Sequence, residues 1–529
     1  MRRLSLLILM LAAALFAGCN GELKEQLAQL QEQKSELEGA TYGLPDAQQI
    51  VLPDLSIALD KCDCWVDARG SFEVHYTLNQ PATLETEAGE GWSIVVENAQ
   101  SGENEGTIKV TAPDPASPAI VRIKATTQNG SVAETFFQVF VRKPFCNTQS
   151  PRIESLGYNG LNGTLGTLEN FQKLADAGMT MITVEGEDLI HGPWWRDQCR
   201  YAEQTGVKVV LFINYTAGLY SDDPVNYKGL DALIAEAKQY PAICAYQIAD
   251  EPSTAIANRL ATAKRRINEL DPDRPVYINL HPSTVSTAGM GANSYEEYVE
   301  HFASVCDLEF ITFDQYPVRL EGVENSWYHS LNVVRDAARR HGVPFWAFLL
   351  CSRLQGREDP TLENIRMQGN VNLAYGAQCN QFFVWKCLSD SDYAPIMGDG
   401  TYKPVYYDIQ KYNHEVHSRE FVFARGDVYK LRHIGHDYYL HGTYPETSDL
   451  PDAISGISTD GSAVVSFIRN SGNEYVVLCN KSWQEKISVY IGFTRAVYTI
   501  DREGEFSEQP PGETRFIIDE GDMLVIKWR

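Results

Sequence analysis

Between Ile153 and Val416 short apolar strand-like runs alternate with helix-patterned segments, and this alternation narrows the possible folds more than any other feature. The strand candidates are Ser155–Asn159, Met179–Glu185, Lys208–Asn214, Ile243–Ala249, Val276–Leu280, Phe310–Phe313, Pro344–Leu350 and Gln381–Trp385. Helical patterns lie between most of them, at Leu168–Ala177, Asp231–Tyr240, Ala255–Leu270, Tyr328–His341 and Thr361–Tyr375. Eight strands over about 260 residues match a (β/α)₈ (TIM) barrel in number and size. The segment has no G-x-G-x-x-G and no G-x-x-x-x-G-K-[ST] loop, which argues against a nucleotide-binding sheet.

The flanks have a different period. Residues 46–143 alternate every second residue, as in Ser71-Phe72-Glu73-Val74-His75-Tyr76 and Ile120-Val121-Arg122-Ile123-Lys124, with Gly, Asn, Asp and Pro between the runs. That pattern predicts a β-sandwich. The period of two returns over 420–529, in Ala463-Val464-Val465-Ser466-Phe467-Ile468 and Met523-Leu524-Val525-Ile526, and predicts a second sandwich that braces the barrel. The expected fold class is therefore α/β, a barrel over 150–417 between two β-sandwiches.

The N-terminus reads as an address. Arg2 and Arg3 precede an apolar run from Leu4 to Phe16, then Ala17-Gly18-Cys19. The run is short for a bilayer span. Residues 1–18 look like a lipoprotein signal, with Cys19 as the lipidated residue that ties the chain to a membrane. The acidic start Cys19-Asn20-Gly21-Glu22 is consistent with export to the outer membrane, at the cell surface or on its periplasmic face. Within 19–45, Leu23, Leu27, Leu30 and Leu37 keep a heptad spacing. About two heptads are marginal as an independent helix and serve as a stalk or a weak oligomerisation element.

A formal net charge of −25 argues against nucleic acid as a partner. The ten cysteines after Cys19 contain no paired CxxC motifs, and no HExxH or other multi-His spacing occurs, so neither a metal nor another cofactor is expected. Cys244 and Cys351 lie in apolar runs, as small buried thiols do.

The chemistry concentrates at strand ends. The fourth strand closes in Tyr246-Gln247-Ile248-Ala249-Asp250-Glu251-Pro252, two carboxylates and a proline after an apolar run. Barrel enzymes carry their catalytic groups at this C-terminal face. A carboxyl there suits protonation of a glycosidic oxygen, and the neighbouring charge of Asp250 favours the protonated form. Asp314 follows strand six, and Glu185 and Glu187 follow strand two. Tyr316, Asn214, Tyr158, Asn279 and His281 also stand at strand ends and could line a cleft, and Trp385 could offer a sugar-stacking face. Each has a purely structural alternative: Glu251 could cap the next helix, Asp314 could orient Tyr316, and Trp385 could be core.

Two stretches carry a family resemblance. Asp250-Glu251-Pro252 after strand four and Phe313-Asp314-Gln315-Tyr316-Pro317 after strand six resemble the large clan of retaining (β/α)₈ glycosidases, the second being similar to the Asp-x-Tyr-Pro of galactosidase-like barrels. Barrels with the Asp-Glu-Pro variant recur in glycan-degrading Bacteroidetes. The run from Gly91 to Val95 with Ile108 to Pro113 resembles the Ig-like (BACON-like) modules that precede glycosidases in bacterial lipoproteins. The resemblance implies a glycoside hydrolase acting on an oligo- or polysaccharide, with Glu251 as acid/base. The clan's nucleophile, a Glu ending strand seven, has no counterpart, because Phe345 to Gln355 contains no carboxylate. Asp314 is the first substitute, and Glu185 and Glu187 come next. Two functions remain open: a surface glycoside hydrolase, or a non-catalytic glycan-binding lipoprotein on a degenerate barrel.

Overall fold

The structure, a computed structural model, describes residues 55–60, 63–67, 70–97, 104–113, 119–142, 152–161, 163–186, 194–213, 218–219, 225–320, 322–388, 393–435 and 450–528. The signal segment, Cys19, the heptad segment, Glu187 and Asn214 lie outside them.

Eight parallel strands close into a barrel: β1 (Glu154–Gly157), β2 (Met181–Glu185), β3 (Lys208–Phe212), β4 (Ile243–Asp250), β5 (Val276–Leu280), β6 (Ile311–Phe313), β7 (Phe345–Leu350) and β8 (Cys379–Phe383). Each bonds to its neighbours in chain order, and β8 returns to β1 through Cys379 opposite Glu154 and Phe382 opposite Gly157. The expected barrel is therefore present. The eighth strand starts and stops two residues before the Gln381–Trp385 read from the apolar run.

Side chains alternate across each strand, and the two faces have different partners. Leu156, Met181, Val210, Ala245, Tyr277, Phe310, Trp346 and Cys379 fill the barrel interior. Ile182, Val184, Val209, Leu211, Ile278, Leu280, Ala347 and Leu349 face outward into the core shared with the helices. Both faces are buried, so the strands read as nearly unbroken apolar runs. Carrying the inward period toward the strand ends places Tyr158, Glu185, Asn279, Asp314, Phe348 and Phe383 at the C-terminal mouth.

Before the barrel, two four-stranded sheets enclose a core that includes Val74, Tyr76, Ile108, Val110, Val121, Ile123, Phe137 and Val139. After it, a six-stranded and a three-stranded sheet form a sandwich around Val465, Phe467, Leu478, Val489 and Ile491. The strand Ser462–Asn470 shows how this sandwich joins the barrel. Its Ala463, Val465 and Phe467 point into the sandwich, whereas Val464 and Ile468 belong to the barrel's own core.

The helix Leu362–Tyr375 lies at this junction and is buried from Asn364 to Tyr375. Its buried amides are anchored to the surrounding backbone: Asn370 Nδ2 donates to Gly521 O at 3.0 Å, Asn372 Nδ2 to Phe348 O at 3.2 Å, and Gln368 Oε1 accepts from Leu350 N at 2.9 Å. Gly521 makes the close approach possible. Its φ is +63°, and a Cβ there would stand 2.0 Å from Glu363 O. Gly521→Ala is expected to lower stability by roughly 1–3 kcal/mol, read as a denaturant midpoint beside Gly456→Ala, whose Cβ would meet nothing within 4 Å. Equal midpoints for the two variants would remove Gly521 from this role.

Candidate active site

The mouth is organised by strand register. Asp250 on β4 lies opposite Asn279 on β5, and Asn279 opposite Thr312 on β6. A register shift between Gln247 and Ala249 re-aims the end of β4. Ala249 turns out into the helix-facing core, and Asp250 turns toward Asn279.

Asn279 is 2 % exposed, and its amide is fully occupied. Nδ2 donates to Asp250 Oδ1 at 3.0 Å and to Asp314 Oδ1 at 3.2 Å, and Oδ1 accepts from Thr312 Oγ1 at 3.3 Å. Expected as a substrate contact, Asn279 instead spends its hydrogen bonds on the two aspartates. The Tyr158 hydroxyl accepts from Gln247 Nε2 at 2.7 Å and bonds Asp250.

Glu251 follows immediately with φ +50°, in the left-handed region that a non-glycine residue occupies only at an energetic cost. Its N–H donates to Asn279 O at 2.9 Å. Its carboxyl lies 3.3 Å from His281 Nδ1 and makes a hydrogen bond with Asp314. Tyr298 braces this corner, donating to Pro252 O at 2.8 Å and accepting from His281 N at 3.2 Å.

These contacts separate the proton affinities of the carboxyls. The His281 imidazole, 3.3 Å from the carboxyl, and after it the bond from Asp314 hold Glu251 below the ordinary carboxyl range. Burial pushes Asp314 well above it, and the charges of Glu251 and Asp250 push the same way. Burial also raises Asp250. The shifts therefore split the pair: Asp314 is the member that takes up a proton first, and Glu251 the one that ionises first. Glu251 is the outer member, its side chain 42 % exposed.

The other wall is aromatic. Tyr158 packs edge-on against Phe348 at 5.0 Å, and Tyr316 lies 5.0 Å from Phe383. Phe348 occupies the inward position near the end of β7, where the resemblance called for a carboxylate. Trp385 does not belong to this wall. It is fully buried, 6.1 Å from Tyr406 in the helix-facing core, and presents no open face to a sugar. The reason is the earlier end of β8: Phe383 takes the inward position, and Trp385 falls past the strand. Phe348, Phe383, Thr312 and Gln381 were not singled out from the sequence, although the inward period of their strands could have found them. Glu185 ends β2, partly exposed.

No family model matches the chain, and no curated protein matches it. Solved structures align with it at low identity. A Bacteroides ovatus GH5 xyloglucanase in complex with a XXXG heptasaccharide is 11 % identical with a TM-score of 0.31, over 68 % of this chain and 100 % of that one. The catalytic domain of a hyperthermophilic chitinase from Pyrococcus furiosus is 12 % identical with a TM-score of 0.36, over 51 % and 98 %. A GH128 (subgroup II) endo-β-1,3-glucanase from Sorangium cellulosum is 11 % identical with a TM-score of 0.33, over 48 % and 97 %. Likenesses at these scores carry no argument about activity, and the barrel stands on its own closed strand order.

Proposed function

We propose that the chain is a glycoside hydrolase whose proton donor is the Glu251–Asp314 pair. The observation that supports this reading is the pair itself: two carboxyls in hydrogen-bond contact at the ends of β4 and β6, displaced in opposite directions in proton affinity. A glycosidic oxygen leaves readily only when protonated, and a positioned carboxyl supplies that proton. Glu251 faces the substrate. Asp314 behind it holds the proton, gives it to the Glu251 carboxylate, and Glu251 then delivers it to the leaving oxygen, which leaves both carboxyls ionised. The negative charge left on the pair and on Asp250 then opposes the positive charge that develops at the anomeric carbon.

Asp314 is not the attacking group in this scheme. A covalent intermediate calls for carboxyls ~5–5.5 Å apart, and attack by water calls for ~6.5–9.5 Å, both wider than a hydrogen-bonded contact. Among the described strand-end residues, Glu185 is the inward carboxylate across the mouth, since β2 and β6 stand four places apart in the ring of eight. We assign to Glu185 the removal of a proton from the attacking water, which inverts the anomeric centre. Tyr158, Tyr316 and Phe383 offer ring faces to the sugar. Lipidation at Cys19 would hold the enzyme on the outer membrane, with an oligo- or polysaccharide as substrate.

The test is hydrolysis of a panel of glycans and aryl glycosides by residues 20–529, with the first-formed anomer read by proton NMR. Inversion is expected, with a loss of about 10²–10⁴-fold in Glu185→Gln. Retention of configuration would take Glu185 out of this role. Binding to one glycan without cleavage of any would instead identify a glycan-binding protein.

A further inference from the structure

A chain of hydrogen bonds runs through the barrel core and ends on the carboxyl pair. The Tyr277 hydroxyl donates to Gln381 Oε1 at 2.7 Å, and Gln381 Nε2 donates to Thr312 Oγ1 at 2.7 Å. Thr312 then donates to Asn279 Oδ1, and Asn279 Nδ2 donates to both Asp250 and Asp314. Tyr277, Gln381 and Thr312 are each fully buried, below any surface a substrate could touch.

Every donation in the chain points the same way, and the chemistry of the links explains why. An amide nitrogen can only donate, so once Tyr277 fills Gln381 Oε1, Gln381 must give its N–H to Thr312. The Thr312 hydroxyl, having accepted, directs its own proton to Asn279 Oδ1. An Asn279 amide anchored through its oxygen has only its NH₂ left to face the carboxyls. We propose that Thr312 is a positioning residue that fixes the Asn279 amide with its NH₂ toward Asp250 and Asp314, and so sets how readily this carboxyl cluster takes up protons.

Hydrogen bonds donated to a carboxylate favour its charged form, opposing the burial that favours the neutral one. If the amide turned, its oxygen would face the carboxyls and favour protons on them. The titratable groups that face Asp314 are Glu251 and Asp250 from β4, Tyr277 from β5, Tyr316 from the end of β6 and Tyr295 from the helix Tyr295–Val305. His281 acts on the cluster through Glu251, and Tyr158 through Asp250. Tyr277 is the one of these that also hydrogen-bonds Thr312, a contact the serine variant keeps.

The inference rests on the pair being the proton donor, but its test needs no turnover. The infrared carbonyl band of a protonated carboxyl is followed against pH in residues 20–529 and assigned by its loss in Asp314→Asn. In Thr312→Val the band is expected to persist about one pH unit higher than in the parent. Thr312→Ser, which keeps the hydroxyl, is expected to titrate as the parent does. Thr312→Ala carries the same expectation as the valine variant should that one fail to fold. A parental titration in the variants lacking the hydroxyl, or a serine variant shifted as far as they are, would overturn the proposal. A glycan panel that is not cleaved, beside an infrared shift as expected, would instead refute the hydrolase reading alone.

Discussion

Glu251→Gln is expected to lower kcat/KM by about 10²–10⁴-fold on whichever glycoside the parent cleaves, with the loss in kcat. The amide keeps the shape and the contacts to His281 and Asp314 but cannot deliver a proton to the leaving oxygen. Asp314→Asn is expected to be similarly slow, because the pair then holds no proton. The two variants should differ in stability. Asp314 has a folded-state affinity raised above that of the unfolded chain, so its contribution is fully present below the ordinary carboxyl range and is lost as pH rises through its raised value. Between the ordinary carboxyl range and that raised value the fold keeps protonated a group that the unfolded chain ionises, and Asp314→Asn removes that penalty. It should melt higher than the parent while inactive. Glu251 has the opposite sign: its depressed affinity stabilises the fold above the ordinary carboxyl range, and this is lost as pH falls through its lowered value. Rates and melting curves of the three proteins decide the matter. Full activity in Glu251→Gln would end the proton-donor assignment.

Arg366→Met is expected to destabilise the protein by about 3–5 kcal/mol. Arg366 and Glu415 are 5 % and 3 % exposed, and they bond in a fork, with Arg366 Nε donating to Glu415 Oε2 at 2.9 Å and a second bond from Nη2 to Oε1. They join the helix Leu362–Tyr375 to the helix Pro404–Ser418. Methionine fills much of the volume but leaves a carboxylate buried without its cation. Arg366→Met with Glu415→Leu should recover part of the loss, since no buried carboxylate is then left without Arg366, while Arg419, which also feels the Glu415 charge, keeps Asp522. The exposed Arg353–Asp359 pair is the control and should cost little when broken. Denaturant midpoints give the comparison, and a loss in Arg366→Met no larger than in the control would contradict it.

Much of the barrel was legible before the structure because each strand's signal is local. Ile243–Ala249 is apolar but for Gln247 and closes on Asp250-Glu251, and Phe345–Leu350 is apolar throughout, patterns that require no knowledge of partners. The boundaries were less legible. Trp385 continues the apolar run of β8, but the ladder to β1 runs only through Phe382, and β1 lies at the far end of the barrel sequence. The burial of Trp385 depends on that pairing, which no window around it reveals. Asn279 is a similar case. Its place at the end of β5 is evident in the sequence, whereas its use on Asp250, Asp314 and Thr312 depends on residues from three other places in the chain.

The sequence by itself determined that carboxyls stand at the ends of β2, β4 and β6, since hydrophobic periodicity sets where a strand ends and the acidic residues sit at those ends in the chain. Only the tertiary structure decided that Glu251 and Asp314 touch, that their proton affinities move in opposite directions, and that Tyr158, Phe348 and Phe383 come together as one aromatic wall. Proton affinity depends on burial and on charges within a few ångströms, and the closed barrel brings those together from strands far apart in the chain.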